Sequence, residues 1–238
     1  MSYKLYSAPD SANIVIHMIL EQLEVEFDLL WVDRSLKEHK GAQYRQQLNP
    51  QGLIPVLVDA DTAVFETAAI ALYLSEKHQQ LGPQEAGSAE RSRLLQWLFY
   101  LSNTLHADLR VQFYPHRHVS DGAAIAALLE GTQSRVLRHF ELIEAELEKS
   151  EAGPWFLGED LSILDFYLGA LCRWSMLYPT GSALGIGFVN SNPCLRRLLA
   201  ALEELPGVQR AMGLQTIKAP FFLAPTPPDL PPEQVSAS

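Results

Sequence analysis

The chain has 238 residues, 47% of them hydrophobic, with mean hydropathy near zero, which suits one large folded domain or two ordinary ones. A balance of 18 basic against 28 acidic residues, net charge -10, leaves little to neutralise a phosphate backbone and excludes nucleic acid as an expected partner. No apolar run approaches the roughly 18 residues needed to cross a bilayer, the opening MSYKLYSAPD lacks a basic segment followed by an apolar one, and Cys172 and Cys194 form no close pair; the expectation is a cytoplasmic protein with no membrane partner.

In chain order, YKLYS (3 to 7) reads as a strand, and Ile16, Ile19, Leu20 and Leu23 form a helical stripe with Ser11 placed to cap it. FDLLWV (27 to 32) is a second strand, and a polar stretch with Lys37, His39, Lys40 and Tyr44 separates it from IPVLV (54 to 58) and AVF (63 to 65). DADT supplies a hairpin turn. ETAAIALYLSEKH (66 to 78) is helical, so the order is βαβ, connection, ββα. Strand signals then almost cease. Leu94, Trp97, Leu98, Leu101 and Leu105 make one helical period, and Val136, Phe140, Ile143 and Leu147 another. The expected organisation is a mixed α/β domain over 1–80, a linker over 81–89, an all-helical domain over 90–218 and a Pro-rich tail over 219–238, extended and pinned near Phe221 and Phe222.

Pro55 stands where the third strand begins, beside the start of the first helix. It is either an ordinary trans proline on an edge strand or the second residue of a cis bond that turns the main chain of Ile54 outward, a form found in only about 5–6% of X–Pro bonds. Three stretches weigh on that choice. NPQGLIPVL (49 to 57), ETAAIALYL (66 to 74) and GEDLSILD (158 to 165) occur in this order with matching helix and strand context, and together they make the chain resemble the cytosolic glutathione transferase superfamily. The resemblance implies a thioredoxin-like N-terminal domain that holds glutathione as co-substrate and a helical C-terminal domain that forms most of the second substrate's pocket. It also implies a homodimer.

Carried over residue by residue, Ile54 before the family's cis proline at Pro55 pairs its main chain with the cysteinyl part of glutathione, as in strand addition. Glu66 and Thr67, at a helix N-terminus that favours a carboxylate, meet the γ-glutamyl end; the alternative for both is simple helix capping. His39, Lys40 and Gln51 are candidates for the glycine carboxylate, against an ordinary solvated loop. At the catalytic position Ser11 resembles the serine of the theta-like and related serine-type classes. Its hydroxyl is too weak an acid to act as a base, so its role is to donate a hydrogen bond to the thiolate, with simple N-capping as the alternative. Aligned on His17 with the beta-like class, Ala12 falls where that class has a cysteine, and the first cysteine is Cys172, which disfavours a reductase working through an N-terminal cysteine.

QWLFYLSNTLH (96 to 106) resembles the beta-like helix whose histidine faces the active site. His106, Arg110, Phe113 and Tyr114 are accordingly candidate substrate-pocket residues, His106 alternatively lying on a helix's polar side. No metal is expected: His116 and His118 lack an acidic or cysteine partner at ligand spacing. Cys172 reads as inert core, and Arg196 and Arg197 as a solvated helix face. Ser162 and Asp165 form a Ser-x-x-Asp capping box, for which Asp165→Ala costs about 1–2 kcal/mol. The expected activity is glutathione transfer to an electrophilic, largely apolar small molecule. Glutathione-dependent isomerisation, dehalogenation or ether cleavage and a non-catalytic binding role are the alternatives.

Overall fold

The structure, a computed structural model, describes residues 2–150, 153–180, 184–185 and 187–228. Two compact units emerge. The first runs to Gln80 and takes in Glu203–Phe221; the second is Leu81–Leu202 with Phe222–Pro225.

The first unit follows the predicted order: β1 (Tyr3–Ser7), α1 (Asn13–Gln22), β2 (Phe27–Trp31), a 3-10 turn (Glu38–Lys40), α2 (Ala42–Gln47), β3 (Val56–Asp59), β4 (Thr62–Phe65) and α3 (Thr67–His78). The sheet order is β2-β1-β3-β4, with β1 and β2 parallel and the β3–β4 hairpin antiparallel to β1. The helical turns between β2 and β3 were not read from the sequence, because Tyr44 is the one buried residue of α2 and a single apolar position shows no period. α1 is buried from Asn13 to Leu20, which requires covering on more than one side.

Part of that cover comes from α10 (Pro206–Leu214), which packs on α1. Glu203–Phe221 thus groups with the first unit, although the sequence expectation ran the helical domain on to 218. The physical reason is a set of contacts nearly two hundred positions apart in sequence. Arg210 donates from Nε to Glu21 Oε2 at 2.7 Å and from Nη2 to the Glu21 carbonyl at 2.8 Å. Gln215 donates from Nε2 to His17 Nδ1 at 3.1 Å. A Cβ at Gly207 would stand 2.8 Å from the backbone nitrogen of Gln22, so only glycine permits this approach. His17 is fully buried, edge-on to Phe27 at 5.3 Å, and burial holds its imidazole down at about 4.

In the second unit, α4 (Ala89–Tyr100) runs through a wide π turn (Leu101–Leu105) into α5 (His106–Phe113), followed by a 3-10 turn (Pro115–Arg117), α6 (Gly122–Glu148), α7 (Ile163–Leu177), α8 (Gly187–Asn190) and α9 (Pro193–Glu203). The two predicted apolar stripes are buried throughout. α7 is buried from Ile163 to Met176, its apolar residues covering every side and Asp165, Arg173 and Ser175 buried among them. Its capping box forms as predicted, and Asp165 also accepts from the Phe156 N–H at 2.7 Å. The 81–89 segment is tied down: the Leu81 carbonyl accepts from the Ile163 N–H at 3.0 Å, and the Ser88 hydroxyl caps α4 by accepting from the Arg91 N–H. Phe221 and Phe222 are buried as expected, whereas the tail prediction for 229–238 lies outside the described residues.

Candidate glutathione site and the aromatic face of the helical unit

Strand register gathers the first set of candidates. Tyr6 pairs with Val56 and Val56 with Phe65, so Ser7, Pro55 and Glu66 occupy the next position at one end of the sheet. The α1 entry loop, the Ile54–Pro55 bond and the start of α3 therefore share that end. The Ile54–Pro55 bond is cis, and Ile54 is half-buried against the cluster built on Val32, Tyr44 and Val56. Glu66 makes no capping hydrogen bond through its side chain and sits at φ 72°, ψ 120°, a conformation disfavoured for a residue with a Cβ. The simple-capping alternative for Glu66 thus finds no hydrogen bond to rest on. Strain of this kind persists where the surroundings impose it. Thr67 is buried at the first turn of α3.

The loop before Pro55 holds itself in shape. Asn49 is buried; its Oδ1 accepts from the Gln51 N–H at 2.9 Å, and its Nδ2 donates to the Leu53 carbonyl at 3.1 Å. The Tyr44 hydroxyl donates to the same carbonyl at 3.0 Å. Lys40 lies on that loop, its Nζ donating to the Gly52 carbonyl at 2.6 Å and the Gln51 carbonyl at 3.3 Å, and Gln51 Nε2 donates to Glu66 Oε1 at 3.2 Å. Lys40, Gln51 and Glu66 are therefore one connected group. His39 is half-buried in the adjoining 3-10 turn. Gly52 is left-handed at φ 62°, and a Cβ there would meet the His39 carbonyl at 2.4 Å. Gly52→Ala is expected to destabilise the first unit by about 1–3 kcal/mol, seen as a lowered urea midpoint; an unchanged midpoint would show that the loop yields freely.

Ser11 does not cap α1 with its side chain, correcting the sequence expectation. Its carbonyl accepts from the Ile14 N–H at 2.9 Å, while its hydroxyl lies 3.1 Å from the Ala8 carbonyl and 2.5 Å from Asn13 Oδ1, donating its one proton. Asn13 Oδ1 also accepts from the Ala8 N–H at 3.0 Å. That fixes the amide's orientation and leaves Asn13 Nδ2 buried with no hydrogen-bond partner among the described residues. Sequence reasoning missed Asn13. The available signal was an amide at the head of an otherwise apolar helix.

In the helical unit, His106 is half-buried. Its Nδ1 hydrogen-bonds the Tyr167 hydroxyl at 2.9 Å, and its ring lies 5.4 Å from that of Trp174. Burial, with a smaller push from Arg110, lowers it to about 4, so it is a neutral imidazole near pH 7. Arg110 is exposed. Phe113 meets Tyr114 at 6.4 Å and Tyr178 at 6.1 Å, edge to face, and the Arg117 guanidinium stacks on the Tyr114 ring at 3.9 Å. Tyr167, Trp174 and Tyr178 completed this face without having been singled out. Elsewhere, ligand atoms of Glu144, Glu148 and Cys194 lie within 4.8 Å of one another. Both Glu144 oxygens, however, accept main-chain N–H groups, from Cys194 at 2.7 Å and Leu195 at 2.8 Å, so that carboxylate caps α9. Burial pushes the Cys172 thiol well up, consistent with inert core.

A four-stranded mixed sheet whose cis proline, strained Glu66 and buried Thr67 meet at one end, followed by a helical unit, defines the glutathione transferase class. The family models agree: the glutathione S-transferase N-terminal domain matches residues 1–76 and the glutathione S-transferase C-terminal domain residues 126–210. The chain belongs to the cytosolic glutathione transferase superfamily. It is 33% identical over 171 residues to the disulfide-bond oxidoreductase YfcG of Escherichia coli, covering 68% of this chain and 74% of that one. With glutathione S-transferase 3 of Zea mays it shares 25% identity over 221 residues, 91% of this chain and 96% of the relative. A crystal structure of a glutathione transferase family member from Pseudomonas fluorescens, with two glutathione bound, has the same fold at a TM-score of 0.75 and 23% identity, covering 89% and 92% of the two chains.

Proposed function

We propose that the chain is a glutathione transferase that binds glutathione at the sheet end formed by Ile54, Pro55, Glu66 and Thr67, and conjugates it to an electrophilic small molecule. The observation that carries this reading is the strand register, which sets the cis Ile54–Pro55 bond beside Glu66 and Thr67. The outward main chain of Ile54 takes the cysteinyl segment, the α3 start takes the γ-glutamyl carboxylate, and Glu66 takes its ammonium. Lys40 and Gln51, with His39 beside them, serve the glycine carboxylate. Ser11 donates to the sulfur, for which its proton must leave Asn13 Oδ1. The thiolate then attacks an electrophilic carbon, forming the C–S bond as the leaving group departs. His106, Arg110, Phe113 and Tyr114 belong to the second substrate's site.

The protein acts as a cytoplasmic homodimer; Phe99 on α4 and Leu137 and Leu142 on α6 remain 54%, 41% and 49% exposed, apolar surface available to a second copy. No described helix is long and apolar enough to cross a membrane. A second reading has support from the relative named a disulfide-bond oxidoreductase: glutathione's own thiolate would exchange with a bound disulfide, without a cysteine of this chain.

Calorimetric titration with glutathione tests the binding, and no heat at millimolar ligand would sink it. If glutathione binds, Ser11→Ala is expected to reduce the thiolate absorbance at pH 7 and to lower kcat/KM by roughly tenfold to a hundredfold, the loss of one charge-assisted hydrogen bond. An equal thiolate fraction would remove Ser11 from the mechanism.

A further inference from the structure

The segment HADLRVQFYPHRH, residues 106 to 118, departs from the acidic character of the chain. Its one carboxylate, Asp108, is buried and engaged by Arg135 at 2.9 Å and His139 at 3.0 Å. Arg110 and Arg117 are both exposed, and neither has a carboxylate within salt-bridge distance among the described residues. Between and beside these cations runs a row of half-buried rings. Phe113 and Tyr178 cross at 82°, Phe113 and Tyr114 at 88°, and His106 adjoins one turn before Arg110. His106 is held neutral at pH 7 and adds no charge of its own. Two guanidiniums with no carboxylate partner among the described residues, one of them stacked on Tyr114, give this segment of an acidic chain a local preference for an anion.

We propose that this face binds aromatic carboxylates, with the ligand ring extending the edge-to-face array of Phe113, Tyr114 and Tyr178 and its carboxylate paired with Arg110 and Arg117. As a statement about substrate, it rests on the transferase reading above and narrows it: the electrophile is an aromatic acid. Arg supplies a planar fork matched to a carboxylate, and the guanidinium stacked on Tyr114 is already oriented by that ring. The rings favour an arene over an aliphatic acid, because aromatic pairs gain beyond the area they bury.

The test compares 3,5-dinitrobenzoate with 1,3-dinitrobenzene, which differ by the carboxylate, carry no leaving group and quench tryptophan fluorescence. In the wild-type protein at low salt the acid is expected to bind at least tenfold more tightly. In the Arg110→Gln, Arg117→Gln double variant, whose thermal melt should stay close to the wild type because both side chains are exposed and only the stack of Arg117 on Tyr114 is lost, that preference is expected to fall to about one. Raising the salt to about 0.5 M should narrow it in the wild type. Equal affinities in the wild type, no binding of either arene at millimolar concentration, or a preference that survives the double substitution would each overturn the proposal. Glutathione is titrated separately. Glutathione binding without the arene preference removes the anion site and keeps the transferase reading; the arene preference without glutathione binding does the reverse.

Discussion

Asp165→Ala is expected to destabilise the helical unit by about 3–5 kcal/mol, more than a helix cap alone would cost. Its carboxylate is fully buried and accepts three hydrogen bonds: from the Phe156 N–H at 2.7 Å, the Ser162 N–H at 2.7 Å and the Ser162 hydroxyl at 2.9 Å. Alanine would leave two main-chain donors buried without acceptors, each costing about 1–3 kcal/mol. Seen from sequence, the box accounted for only one helix start, hence the smaller figure of about 1–2 kcal/mol. The structure adds Phe156, which lies nine positions from Asp165 on the preceding turn. A fall in melting temperature of about 10 °C is expected, and Asp165→Asn, which keeps one acceptor oxygen, should lose less. An Asp165→Ala melt within about 2 °C of wild type would show that those donors find water.

The second large effect concerns pH. Burial lowers His17 from 6.5 to about 4, so the folded state binds fewer protons there than the unfolded chain between these values. His17 stays neutral in the fold, where its Nε2 lacks a hydrogen-bond partner and lies 3.8 Å from Glu21 Oε1. Stability linked to His17 is present above about 6.5 and is lost as pH falls toward about 4, by about 3 kcal/mol over the interval. His106 is lowered in the same direction. Asp165 runs the other way: burial raises it to about 6, so the folded state takes up protons there first and that contribution grows as pH falls from about 6. Wild-type stability alone therefore mixes opposing slopes. The quantity that isolates His17 is the difference in urea unfolding free energy between wild type and His17→Gln. That gap should shift by about 3 kcal/mol against the wild type from pH 7 to pH 4. A gap that is constant with pH would mean that His17 is protonated in the fold, or hydrated there.

Much of the fold could be read along the chain because its determinants are local. Strands β1, β3 and β4, the stripes from Leu94 to Leu105 and from Val136 to Leu147, and the Ser162–Asp165 box depend on residues two to four positions apart. The NPQGLIPVL and ETAAIALYL stretches likewise located the candidate glutathione residues, since a turn, a proline and a helix start are each properties of a few consecutive residues. α2 escaped because one buried tyrosine carries no period, and Asn13 because its importance depends on where the Ala8 N–H and the Ser11 hydroxyl point. The remaining features were set by partners that meet only in the folded chain. Arg210 and Gln215 reach Glu21 and His17 to bring α10 onto the first unit, and Glu144 caps a helix fifty positions away. Phe113 meets Tyr178 across two helices to make the aromatic face. Periodicity decides which side of a helix is buried; which residue lies opposite is decided by long-range packing, because burial is not directional whereas hydrogen bonds and ring contacts are.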